Sequence, residues 1–208
     1  MDAMNRREFG KLAGASALGL AAMSSGFVLT GCNWVQDVEN WTQTGEESIA
    51  SIESILTANN VPIPQGPLNI VNAAFAAIHE ACAAYLATTP PPVGALQKIQ
   101  TALQDCSAAI GSFITALGLP GGNLLSLIVS LGELLLSTIA GFANQATAAS
   151  KSAVVGLTMR VGAASYSITP KVRSRRGFKK DWNGTLHGAH GVSVPKAAEM
   201  HVSLFEHF

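Results

Sequence analysis

Charge is what this chain has least of. Only 12% of its 208 residues are Asp, Glu, Lys or Arg, about half the ~25% usual in soluble proteins. Catalytic signatures are missing as well. No GxSxG, P-loop, HExxH, CxxC or dinucleotide fingerprint occurs, so no residue is assigned to nucleophilic, phosphate-binding or zinc chemistry by motif. No cofactor is implied and no metal site is assigned. Cysteine is scarce too, at Cys32, Cys82 and Cys106.

The few charges are unevenly placed. From Asn33 to Ser150 there are eight acids (Asp37, Glu39, Glu46, Glu47, Glu53, Glu80, Asp105, Glu133) against Lys98 alone. From Lys151 onward there are nine bases and three acids (Asp181, Glu199, Glu206). An acidic body with a basic tail is therefore expected, either attracting one another or leaving the tail to meet an anionic surface.

The N-terminus has an ordered pattern. Arg6-Arg7 is followed by Phe9 and Lys11, then an apolar run rich in Ala, Gly and Ser from Leu12 to Val28, then Leu29-Thr30-Gly31-Cys32. This resembles a twin-arginine export signal ending in a lipobox. Arg6, Arg7 and Phe9 match the core of the signal. Leu29 and Gly31 match the box before the lipid-attachment residue, Cys32. The resemblance covers the signal alone, and no family is suggested for residues 33–208. It implies that residues 1–31 are removed and that the domain is exported folded. The product would be held in the bacterial cell envelope by acyl chains on Cys32, on the periplasmic side of either membrane or at the cell surface. Several chains anchor durably, since each buried methylene contributes about 0.8 kcal/mol.

Apolar spacings of three and four predict a helical body over residues 32–150, with 151–208 as a basic C-terminal extension. The first helix, Asn33 to Asn59, aligns Trp34, Val38 and Trp41 with Ile49, Ile52, Ile55 and Leu56, and Gly45 marks an expected kink or division. Its tryptophans belong either to a lipid interface or to the core. After a proline-rich breaker, a second helix (Pro67 to Ala87) aligns Val71, Phe75, Ile78, Cys82 and Tyr85. A third, ending near Leu117, aligns Leu96, Ile99, Leu103, Cys106, Ile110 and Ile114. The fourth, Asn123 to Ala149, is the most apolar and long enough to span a bilayer. Glu133 at its centre, with the lipid anchor already in place, favours a buried bundle helix. The pairs Ser126/Ser130 and Ser137/Gly141 on it predict close helix packing. Residues 153–168 fit helix or strand equally, and the tail is expected to be less ordered, closing with a short amphipathic helix over 195–208. The fold class is all-α: a bundle of about four helices with a basic, partly irregular C-terminal extension.

Few side chains suggest chemistry. Cys82 and Cys106 both face the core. Pairing their helices outward from the proline turn sets the sulfurs on the order of 10 Å apart, so a disulfide needs a slipped register and two buried thiols are the other reading. His187 and His190 form an HxxH pair in a glycine-flanked loop, a weak metal candidate. His79 and Glu80 are adjacent and so point apart. Glu133 should be buried with a partner, His79 or Lys98. The basic run 171–180 suits an anionic lipid, a cell-wall polymer, another envelope protein or the acidic body itself, and not nucleic acid in an exported protein. The role expected is structural or interactive and non-enzymatic, oligomers included. An apolar-ligand carrier and a membrane-inserting helical oligomer are the rivals.

Overall fold

A computed structural model describes residues 33–150, 157–161 and 164–203. Arg6, Arg7, Phe9, Leu29, Gly31 and Cys32 lie outside them. The architecture is an all-α bundle with one small hairpin, as the periodicity predicts. Helix α1 occupies 33–58, α2 is Gln65–Leu86, α3 is Ala95–Ala116 and α4 is Asn123–Ser150. Short connections make sequential helices antiparallel neighbours.

The predicted stripes are the buried faces. Val38, Trp41, Ile49, Ile52, Ile55 and Leu56 of α1 are at most 1% exposed, and α2 buries Val71, Phe75, Ile78, Cys82 and Tyr85. On α3, Ile99, Leu103, Cys106, Ile110 and Ile114 are buried. Full burial of such a side chain contributes about 1.5–3 kcal/mol. The core reading therefore holds for Trp41, while Trp34 is partly buried.

Gly45 does not divide α1, which is continuous through it. A Cβ there would lie 2.5 Å from Cε1 of Phe75. The glycine is needed for the close approach of the Phe75 ring from α2, and the helix pattern around it is strong enough to carry it. Helix α4 has the length and apolarity of a membrane span, but Ile128, Leu131, Leu135, Ile139 and Phe142 are at most 1% exposed within the bundle.

Beyond α4 the undecided stretch is an antiparallel hairpin. Strand β1 (Leu157–Val161) pairs with β2 (Ala164–Ile168), with Leu157 opposite Ile168 and Met159 opposite Tyr166. A lone two-stranded hairpin is marginal in water. This one buries Met159 and Ile168, and β1 packs on α3 and α4.

The C-terminal segment departs most from expectation. Arg175–His187 is a fifth helix, α5. Ser174 caps it, its hydroxyl accepting the Gly177 N–H at 3.1 Å. Phe178, Trp182 and Leu186, at successive spacings of four, are buried in the common core. Trp41 is the link: its ring meets Phe142 of α4 at a tilt, centroids 5.6 Å apart, and Phe178 edge-on at 5.9 Å. The closing amphipathic helix is reduced to a single 3-10 turn, Lys196–Ala198, among the described residues. Pro195 sets the start of that turn, the Met200 backbone just beyond it is taken up by Asn183 instead of a helix, and residues 204–208 of the expected helix lie outside the described residues.

Candidate functional site

Two places concentrate unusual geometry: the seam where the C-terminal segment lies on the body, and the end of the bundle next to Cys32.

The seam is built on Ser137 and Gly141 of α4. A Cβ at Gly141 would lie 2.6 Å from the backbone of Lys171 and Val172, so only glycine lets that backbone lie flat on the helix. Ser137 binds it from beside: its hydroxyl donates to the Thr169 carbonyl at 2.6 Å, and its carbonyl accepts the Lys171 N–H at 2.9 Å. The small-residue pair thus receives an extended chain, where a second helix was expected.

Four of the six basic side chains of 171–180 turn inward. Arg173 donates to Asp181 at 3.2 Å and to the hydroxyls of Ser137 and Thr138 at 3.1 and 3.2 Å. Arg175 donates to buried Thr44 at 3.0 Å. Lys179 is buried and pairs with Glu47 of α1 at 3.6 Å, and the Nε of Arg176 is enclosed. Lys171 and Lys180 stay exposed. Contacts with the body thus engage much of the run, mostly through hydroxyls, and the Lys179–Glu47 pair alone joins a basic residue of the run to a carboxylate of the body among the described ion pairs.

Further along, Trp182 donates to the hydroxyl of Ser51 at 3.2 Å, and that hydroxyl donates to the Ala198 carbonyl at 2.6 Å. Two asparagines each clip a backbone amide from both sides. Asn183 holds both polar groups of Met200, and Asn59 holds those of Ser193. Sequence reasoning missed these clamps, although Ser174 before a Phe178–Trp182–Leu186 stripe is a readable helix signal.

Glu133 is not fully buried and meets neither expected partner. It is half-buried, in a groove of about 400 Å³ that it shares with Lys171, Arg173, Ser130 and Thr169. The cations that share its groove come from the returning segment, without a direct ion pair to Glu133 among the described residues. His79 faces Glu46 at 4.0 Å, and Lys98 lines the outer α2–α3 face with Glu80 and Asp105. Opposite charges and hydroxyls in a solvent-open groove make a polar lining.

Among the described residues, no three of His, Cys, Asp and Glu converge as a metal site. His187 lies 3.9 Å from Glu199, both largely exposed, and His190 contributes its carbonyl to Asn123. Cys82 and Cys106 are buried free thiols. Burial, with a smaller contribution from the nearby Glu39 carboxylate, pushes the Cys82 thiol up to about 12. Burial also pushes Cys106 far above the usual thiol range. Neither is a nucleophile near neutral pH.

Helix α1 begins no later than Asn33, one residue beyond Cys32. Fold and seam together define an all-α bundle closed by a docked basic segment. No family model, curated protein or solved structure matches the chain.

Proposed function

We propose that the mature protein is a lipid-anchored component of the bacterial cell envelope that works by presenting a surface to partners, without catalysis of its own. The observation that carries this reading is the absence of a linker. The lipobox-like Leu29-Thr30-Gly31-Cys32 is followed at once in the sequence by a continuous helix that includes residues 33–58, so the acylated residue would be one peptide bond from the described bundle. Consecutive Cα atoms are only ~3.8 Å apart, and a body attached this way is held close to the membrane surface, with its tilt still free.

The outward face of α2 and α3 supports an interaction role. Ala77, Ala81 and Ala84 of α2 line it with Thr101 and Ala102 of α3, beside the charged Glu80, Lys98 and Asp105. Small side chains make a flat face that another backbone can approach closely. A carrier for an apolar ligand is the second reading. It is favoured by a groove of about 630 Å³ lined by Ala108, Gly111, Ala116, Leu136 and Met159.

Intact mass of the membrane-extracted protein beside its Cys32→Ser variant tests the anchor. A chain starting at Cys32 with added diacylglyceryl and acyl mass, lost in the variant, is expected. A full-length, unmodified wild-type chain in the membrane fraction would refute it. Lipid that co-purifies with the domain in fixed ratio would favour the carrier reading.

A further inference from the structure

The end of the bundle nearest Cys32 carries a second apolar feature. The loop between α2 and α3 runs Ala87-Thr88-Thr89-Pro90-Pro91-Pro92-Val93-Gly94. Val93 is fully exposed, one of two large apolar side chains so placed among the described residues. A single exposed valine is unremarkable by itself. Its neighbourhood sets this one apart: from Ala81 to Gln97 the chain has no charged residue. Pro90, Pro91 and Pro92 also offer no N–H to be stripped of water.

The helices place this loop level with Asn33, the residue after the proposed anchor. Gly45 of α1 sits against Phe75 of α2. At 1.5 Å per residue, Asn33 lies about 18 Å above that contact and Leu86 about 17 Å above it. The looser contact between the long side chains of His79 and Glu46 still sets the two ends within about 10 Å of one another. Helix α4 ends at the same level. Its Phe142 packs against Trp41, and it carries no charge after Glu133.

We infer that the 87–94 loop, led by Val93, enters the lipid interface beside the acylated Cys32 as a second point of membrane contact. The inference rests on the anchor reading above. One tether leaves the bundle free to tilt. Two contacts would hold it upright and direct the alanine-rich α2–α3 face sideways, along the membrane plane. Uncharged residues that lose little on dehydration suit that interface, and the exposed valine gains by burial there.

A polarity-sensitive fluorophore attached at Val93→Cys tests this, with the same label at Ile70→Cys as reference. Ile70 is the other exposed large apolar residue, at 61%, in the second turn of α2 and so toward the far end. The native Cys82 and Cys106 thiols are buried and Cys32 would be acylated, so labelling is confined to the new site. The full-length lipidated protein is placed in phosphatidylethanolamine–phosphatidylglycerol vesicles containing brominated acyl chains. Blue-shifted emission and severalfold quenching at 93, with neither at 70, are expected. Equal responses at the two sites, in protein whose mass proves acylation of Cys32, would overturn the loop contact and leave the anchor standing. A mass without acyl groups would overturn the anchor reading, and the loop assignment with it.

Discussion

Helices α1–α4 and the segment 169–203 are held by different means. The four helices meet along apolar stripes with few polar ties between them, and the α2–α3 pair is closed by Val71, Phe75, Ile99, Leu103 and Ile110. The segment adds an aromatic plug, Phe178 and Trp182, ringed by hydrogen bonds from Ser51, Asn59, Ser137 and Arg175. Stripe packing is tolerant of volume-conserving exchange. A plug with polar stitching is not, because each lost partner leaves a buried group unsatisfied. The segment should therefore be the more brittle of the two.

The largest test is Trp182→Ala. It removes a fully buried indole and a hydrogen bond to Ser51, and should cost about 3–5 kcal/mol. Limited proteolysis should then cut within 171–203 at protease levels that leave α1–α4 intact. Loss of all helical signal in one step, at the same midpoint as the proteolytic opening, would erase the distinction between the regions. Gly141→Ala should come next, at about 1–3 kcal/mol, because the new methyl meets backbone that cannot rotate away. Gly45→Ala sharpens the comparison, since its clash is with a Phe75 ring that can shift; chemical denaturation should show it milder than Gly141→Ala.

The thiols test the α2–α3 side. Both hold their protons in the folded protein to higher pH than when unfolded. The stability they contribute is complete below about pH 9 and is lost as pH rises from there toward about 12. A Cys82→Ala, Cys106→Ala double variant should lack that part of the alkaline decline in melting temperature. In a Cys32→Ser background, a thiol reagent at pH 8 should find none reactive in the native state and two after denaturation; none after denaturation would instead show a bond. The smallest effect is expected of Asp181→Asn. Its carboxylate is half exposed, and such surface pairs are worth about 0–1 kcal/mol.

The brittle region was also the one least readable in advance. Spacings alone place α1–α4, with both ends of α1, α2 and α4 and the C-terminal end of α3 within a residue or two, because a helix that buries one face must repeat its apolar residues every three to four positions. Six basic residues between Lys171 and Lys180 concealed a helix of the same kind, since charge outweighed the stripe of Phe178, Trp182 and Leu186. Gly45 read as a break because glycine lowers helix propensity; the ring that requires it comes from Phe75, thirty residues on. The spacing offers Glu133 the cations His79 and Lys98, whereas the cations that share its groove, Lys171 and Arg173, lie across a fold-back that no local pattern encodes.

By itself the sequence determined the all-α class, the apolar faces of four helices and the sparse, divided charge. Each depends on residues close together in the chain, where geometry is set by the helical repeat. Tertiary structure alone decided that the basic tail would be spent on the body, that Gly141 would receive a backbone, and that the uncharged proline loop would stand level with Asn33. Those outcomes depend on surfaces brought together from positions as far apart as Thr44 and Arg175, and complementarity of that kind exists only once the helices have packed.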